Sequence, residues 1–180
     1  MRTALLLVDV LDDFRHGNGE ELAAAFRAAA SRLERLIREA RGRGLPVVYA
    51  NDVAGRWSDG RDQVVERACT GLAGDATRRI APGPDDVFVV KPRYSAFDHT
   101  PLRLILAAGD IERIVLAGTA TEMCVAQTAI DAREVGLKVT VVPDACAAVD
   151  DAMAEIALQY LERVAGVFLE DGIPDDAEAG

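Results

Sequence analysis

Six short apolar runs, residues 4–8, 46–50, 87–90, 114–117, 138–142 and 165–169, recur along the chain with helix-like segments between them. Their near-continuous Val, Ile and Leu content constrains the fold more than any other feature. A strand with one wet face alternates apolar and polar residues, whereas a strand apolar at successive positions is buried on both faces, as in a parallel sheet covered by helices on each side. Between the first two runs, Leu22, Phe26, Ala29, Leu33, Ile37 and Ala40 recur three and four apart, the stripe of an amphipathic helix, and Gly42, Gly44 and Pro46 stop it. A second helix is expected from Thr121, as its N-cap, to Gly136. A third opens at Asp150 and Asp151 and carries Met153, Ile156, Tyr160 and Val164 on one stripe. The pattern predicts a single-domain α/β fold over residues 1–169: a three-layer α-β-α sandwich, Rossmann-like, around a six-stranded parallel sheet.

Residues 54–84 are broken by Gly55, Gly60, Gly71, Gly74, Pro82 and Gly83 around one short helix near residues 62–68, and read as loop and lid. Residues 170–180 form an acidic tail without apolar periodicity, expected to be mobile. A chain of 180 residues can bury a core without staples. With 20 Lys and Arg against 30 Asp and Glu, a formal net charge of −10, it lacks the basic face that a nucleic acid or an anionic membrane requires. The first apolar run meets Asp9 too soon for a signal sequence or a membrane span. Cys69, Cys124 and Cys146 form no close-spaced metal or redox pattern, and their odd number predicts free thiols in a reducing cytoplasm.

In an open parallel sheet, ligands bind beyond the carboxyl ends of the strands, so the residues just after each apolar run are the candidates for chemistry. These are Asp9, Asn51 with Asp52, Lys91, the turn leading to Cys124, and Asp144. Singly, each has a bland reading: an aspartate after a strand is a turn residue, a lysine a solvated end, a cysteine a small buried hydrophobe. Together, a carboxylate, an ammonium and a thiol on one sheet edge make a working set of proton carrier, counter-charge and nucleophile. With Thr121 as cap, Cys124 falls at N3, where the helix field lowers a thiol pKa. Cys146 is the rival nucleophile, but no capped helix start precedes it, and it reads as packing. Cys69 has no charged relay.

The flanking residues carry the identification further. Val8-Asp9-Val-Leu-Asp-Asp13-Phe14, then Val90-Lys91-Pro-Arg-Tyr-Ser-Ala-Phe97, then Gly118-Thr-Ala-Thr121-Glu-Met-Cys124-Val125 resemble the three signature blocks of the isochorismatase-like cysteine hydrolase family, over nearly the whole chain. The resemblance implies that Asp9, Lys91 and Cys124 form a catalytic triad. It implies a non-proline cis peptide at Thr119–Ala120, and an oxyanion hole from the Ala120 and Cys124 N–H groups. The implied reaction is hydrolysis of a small C–N bond in an amide, carbamoyl or ureido compound through a thioester. Inside the family the alternative is vinyl ether hydrolysis, which needs Asp9 and Lys91 but not the thiol. Relatives imply a homo-oligomer, dimer or tetramer, and no cofactor.

Two departures narrow the expectation. The family's usual Asp-x-Gln-x-Asp-Phe places a glutamine where this chain has Leu11, and the Asp-x-His with a second histidine by which nicotinamidases hold a metal is replaced by Asn51-Asp52-Val53. With only His16 and His99 in the chain, a metal-free enzyme is expected and nicotinamidase activity is not. The candidate substrate-binding residues are Phe14, Asn51, Asp52, Trp57, Tyr94, Phe97 and Thr119, with Arg56 or Arg93 available to an acidic substrate. Asp13 and His99 read as structural. Two other classes fit less well. A phospho-accepting receiver domain would place its Lys-Pro after the fifth strand, whereas Lys91-Pro92 follows the third. A dinucleotide-binding domain needs spaced glycines that Gly118-Thr-Ala-Thr lacks.

Overall fold

The computed structural model describes residues 1–175; residues 176–180, the end of the acidic tail, lie outside the described residues. The strands β1 (Thr3–Val8), β2 (Val47–Asn51), β3 (Val87–Val90), β4 (Arg113–Thr119), β5 (Lys138–Ala147) and β6 (Phe168–Leu169) form one parallel sheet in the order β3-β2-β1-β4-β5-β6. Every residue of β1 is buried, with Leu5 and Leu7 packed into one layer and Ala4, Leu6 and Val8 into the other. That two-sided burial is why the run is continuously apolar. The helices α1 (Gly19–Gly42), α2 (Arg61–Cys69) and α3 (Gly74–Arg79) cover the first layer; α4 (Leu102–Ala108), α5 (Ala126–Glu134) and α6 (Asp151–Arg163) cover the second. Winding leaves β1 toward β2 on one side and reaches β4 on the other, so the β1/β4 boundary is the switch point at which a crevice opens.

All six apolar positions foreseen on the first helix are buried along α1. Truncating one of them, Leu33→Ala, removes contacts at a fully enclosed site and costs about 2–5 kcal/mol. Gly44, at φ +67°, ends the helix in the left-handed conformation that glycine adopts without a Cβ clash.

Several expectations are corrected. Asp150 does open α6, its carboxylate accepting from the Ala152 and Met153 N–H groups at 2.9 and 3.1 Å, but the stripe Met153, Ile156, Tyr160 and Val164 is exposed, and Ala154 and Leu161 face the core instead. The segment after β2 holds two helices, α2 and α3, rather than one. β5 runs to Ala147, so Cys146 lies inside the strand and Asp144 is exposed on it. β6 is only two residues long because Gly166, at φ +68°, turns the chain before it. The start of the tail is not loose: Ile173 is buried in the α1 layer, and Arg43 donates to the Ile173 and Pro174 carbonyls, both at 3.1 Å.

Candidate active site

The site is assembled at the carboxyl ends of β1, β3 and β4. Asp9 is the first residue beyond β1 and stands at φ 49°, a conformation costing on the order of 1–3 kcal/mol for a residue with a Cβ. Its surroundings hold it there. The backbone N–H donates to the Ala50 carbonyl at 3.0 Å, and the Asp9 carbonyl accepts from Thr119 Oγ1 at 2.7 Å. The carboxylate accepts from the Asp52 N–H at 2.9 Å and lies 2.7 Å from Lys91 Nζ. Lys91, one residue past β3, is almost completely buried; its ammonium also donates to the Arg93 carbonyl at 2.8 Å and reaches Cys124 Sγ at 3.5 Å.

Cys124 arrives by a route that differs from the expected capped α-helix. Residues Thr121–Val125 form one π-helical turn, in which the Ala120 carbonyl accepts from the Met123 and Val125 N–H groups at 3.1 and 3.2 Å. Thr121 caps nothing: it is buried, and its hydroxyl donates to the Ala147 carbonyl of β5 at 3.2 Å. The hydroxyl is turned toward the neighbouring strand as a donor, and its oxygen accepts from no N–H of the turn. The Thr119–Ala120 peptide is cis. Gly118, at φ +140°, sits where the β4–β5 register shifts, and a Cβ there would lie 2.0 Å from the Val8 carbonyl oxygen, so β4 approaches β1 closely only as glycine. The Ala120 N–H, between β4 and this turn, has no hydrogen-bond partner among the described residues.

The electrostatics correct a second expectation. Burial, then the Asp9 carboxylate, push the Cys124 thiol up to about 12, against the downward pull of Lys91. Burial also holds the Asp9 carboxyl above its usual range despite Lys91; burial opposes the Lys91 charge, but the neighbouring Asp9 and Cys124 outweigh it and its pKa is raised. The resting site is therefore a thiol, a carboxylate with enhanced basicity and an ammonium, rather than a preformed thiolate.

These groups open onto a cleft of about 660 Å³. Asn51, Asp52, Tyr94, Thr119 and Ala120 line it as foreseen, but Asn51 is not free to meet a ligand: its amide accepts from the Leu11 N–H and donates to the Leu11 carbonyl, both at 2.9 Å. It fixes the loop after β1. Asp52 Oδ1 accepts from the Ala54 N–H at 2.8 Å. Three proposed contacts are misplaced. Phe14 is wholly buried against Phe26, with ring centroids 5.1 Å apart; Trp57 is exposed outside the cleft lining; Phe97 borders a separate groove. Leu11, Asp12, His16, Arg56, Met123 and Val149 line the cleft, and only Arg56 among them had been singled out as a contact. Their signal was positional: Leu11, Asp12 and His16 follow β1, Arg56 follows β2, Met123 follows β4 and Val149 follows β5, all beyond carboxyl ends of strands.

Glu122 was also missed. One of its carboxylate oxygens accepts from the Val149 and Asp150 N–H groups at 2.9 and 3.3 Å, tying the turn that carries Cys124 to the loop entering α6. As for a metal, Asp52 brings a single carboxylate, His16 faces Asp12, His99 pairs with Asp98, and no three His, Cys, Asp or Glu side chains converge among the described residues. The donor set does not fit the metal that nicotinamidases hold.

A parallel α/β domain with a carboxylate, an ammonium and a thiol at its switch point has the layout of a nucleophilic hydrolase. The comparisons give the family: a model described as the Isochorismatase domain matches residues 3–170, and the chain belongs to that family of hydrolases. The uncharacterized isochorismatase family protein YaaI of Bacillus subtilis (strain 168) is 32% identical over 161 residues, which cover 89% of each chain. N-carbamoylsarcosine amidase from Thermoplasma acidophilum superimposes with a TM-score of 0.72 at 28% identity, over 98% of this chain and 99% of that one. The nicotinamidase/pyrazinamidase PncA from Bacillus subtilis gives 0.74 at 25% identity, over 94% and 99%.

Proposed function

We propose that this protein is a cysteine hydrolase that cleaves a small amide, carbamoyl or ureido C–N bond through a thioester, with Asp9, Lys91 and Cys124 as the reacting set. The observation that carries this reading is the buried Lys91 ammonium, 2.7 Å from the Asp9 carboxylate and 3.5 Å from Cys124 Sγ, with Asp9 and Cys124 lining the cleft. Two structural neighbours bear amidase names, which supports C–N cleavage as the reaction class.

The chemistry follows from the resting protonation. As a carbonyl carbon approaches Cys124, the thiol proton passes to Asp9, the S–C bond forms, and the carbonyl π pair moves onto oxygen. The Ala120 N–H, without a partner of its own, and the Cys124 N–H receive that oxyanion. Collapse of the adduct breaks the C–N bond, and the departing nitrogen takes the proton from Asp9. Water enters, Asp9 removes its proton, and hydroxide attacks the thioester. Collapse returns the electron pair to sulfur, which regains its proton from Asp9. Lys91 remains charged throughout and offsets the negative charge that moves between Asp9, sulfur and the oxyanion.

A screen of small amides, N-carbamoyl compounds and ureides for ammonia or carboxylate release tests the proposal. The expected result is turnover by the wild-type chain and none by Cys124→Ser. Amide turnover that survives Cys124→Ala would overturn the thioester route, and cleavage of a vinyl ether retained by Cys124→Ala, with no amide turned over, would replace this reading with vinyl ether hydrolysis by Asp9 and Lys91.

A further inference from the structure

A second cavity, of about 650 Å³, is lined by residues of α1, the end of β5 and the start of α6. Thr121, in the turn that carries Cys124, also borders it, yet no residue is common to its lining and that of the catalytic cleft. Its volume is within the range of about 300–1,000 Å³ that small-molecule sites occupy. The side chains around it are short: Ala25 and Ala29 on α1, Ala147 at the end of β5 and Ala154 on α6. Charges of both signs stand around that apolar floor. Arg32 and Arg35, three apart on α1, share one side of the helix. Asp144 on β5 and Asp151 in the first turn of α6 bring carboxylates.

We infer that this cavity binds a free amino acid, its carboxylate held by Arg32 and Arg35 and its ammonium by Asp144 and Asp151. The state of these charges points to a ligand. Along the same helix Arg27, Arg38 and Arg41 each pair with a carboxylate, whereas Arg32 and Arg35 pair with none among the described residues. The Nε of Arg32 is shut off from water and has no acceptor among the described residues, a state that costs free energy until an acceptor arrives. Asp144 and Asp151 are exposed and likewise unpaired among the described residues, so both signs line one cavity and no ion pair crosses it. A ligand of single charge is attracted to one side and repelled by the other. A ligand that carries both charges gains on each side, so the field of the cavity selects a zwitterion. The N–H groups that open α6 take no part, because Asp150 already accepts from those of Ala152 and Met153. The alanine floor, with Leu158 beside it, suits an apolar side chain.

Calorimetric titration of the full chain with L-valine and L-leucine tests the inference. At least one is expected to bind with a Kd below about 10 mM, and L-valine about 10-fold more tightly than isovalerate or isobutylamine, which lack its ammonium and its carboxylate respectively. Arg35→Gln and Asp144→Asn, at exposed positions, are each expected to weaken binding about 10-fold with an unchanged far-UV spectrum. Alkylation of Cys124 with limiting iodoacetamide, mapped to that residue, blocks the catalytic cleft and is expected to leave the affinity as it was. No binding of either amino acid up to about 10 mM, or isovalerate or isobutylamine bound as tightly as L-valine, would overturn the inference. So would an affinity untouched by both substitutions, or binding lost on alkylation of Cys124. Turnover in the amide screen is a separate readout, and failure here leaves the hydrolase reading standing.

Discussion

Cys124 and Cys146 are nearly alike as isolated residues. Both are half-buried thiols bordering a cavity, and burial is the main reason that each is pushed up to about 12. What differs is the company of the sulfur. Cys124 has Lys91 at 3.5 Å and the Asp9 carboxylate beside it, itself 2.7 Å from that ammonium, while the Cys146 thiol donates to the Val142 carbonyl at 3.4 Å inside β5. The contrast teaches that the resting acidity of the two thiols does not tell them apart. In the proposed mechanism a base and a fixed counter-charge within reach of the sulfur do.

The largest effect that can break the comparison is exchange of the two sulfurs. Cys124→Ser is expected to lower kcat/KM by at least about 10³-fold, and Cys146→Ser to leave it within about 2-fold, measured on the first substrate that the screen yields. Equal losses would erase the distinction. Next comes the counter-charge: Lys91→Met leaves the Asp9 carboxylate buried without its ion pair, and we expect about 10²-fold less activity together with a loss of about 3–5 kcal/mol in denaturant unfolding. A variant as stable as wild type would show that the pair does not hold the site together.

The pH profile sharpens the same contrast. In the proposed mechanism Asp9 acts as a carboxylate, and its pKa is raised above 3.8, so kcat/KM is expected to fall about tenfold per pH unit below that raised value; Lys91, raised above 10.5, imposes no loss near neutrality. An acid limb at or below an ordinary aspartate value would argue against Asp9 as the base. Alkylation with limiting iodoacetamide, followed by peptide mapping, is expected to label Cys124 about tenfold faster than Cys146, because only Cys124 has a base to take its proton. Labelling led by Cys146 would reverse the assignment. The smallest effect concerns the turn itself: Glu122→Ala is expected to slow Cys124 alkylation a few-fold and Glu122→Gln to restore it, since the amide oxygen still accepts from Val149 and Asp150.

Much of the site was legible because its residues follow directly from apolar runs. Asp9 and Lys91 had to emerge at the carboxyl edge once residues 4–8 and 87–90 were read as parallel strands, and the block ending in Cys124 carried the family. Residues whose roles depend on a surface brought from elsewhere were misread. Thr121 has the side chain of a cap but found the Ala147 carbonyl; Phe14 borders a signature block but packs on Phe26; Asn51 stands at a strand end but closes on Leu11. Glu122 gave no signal because its partners, Val149 and Asp150, are 27 and 28 residues away.

The two apolar stripes mark the same boundary. Sequence periodicity alone determined that α1 and α6 would be amphipathic helices, since helix geometry puts residues three and four apart on one side wherever the helix lies. Which stripe would be buried was not a local property. α1 is buried at positions along its whole length, whereas α6 lies beside a two-residue edge strand, and Ala154 and Leu161 are its buried residues. In the same way, the order of strands and their polar ends determined which chemical groups would meet. Only the packed tertiary structure decided that the thiol would rest protonated, because that depends on how far water is excluded from three groups brought together from distant parts of the chain.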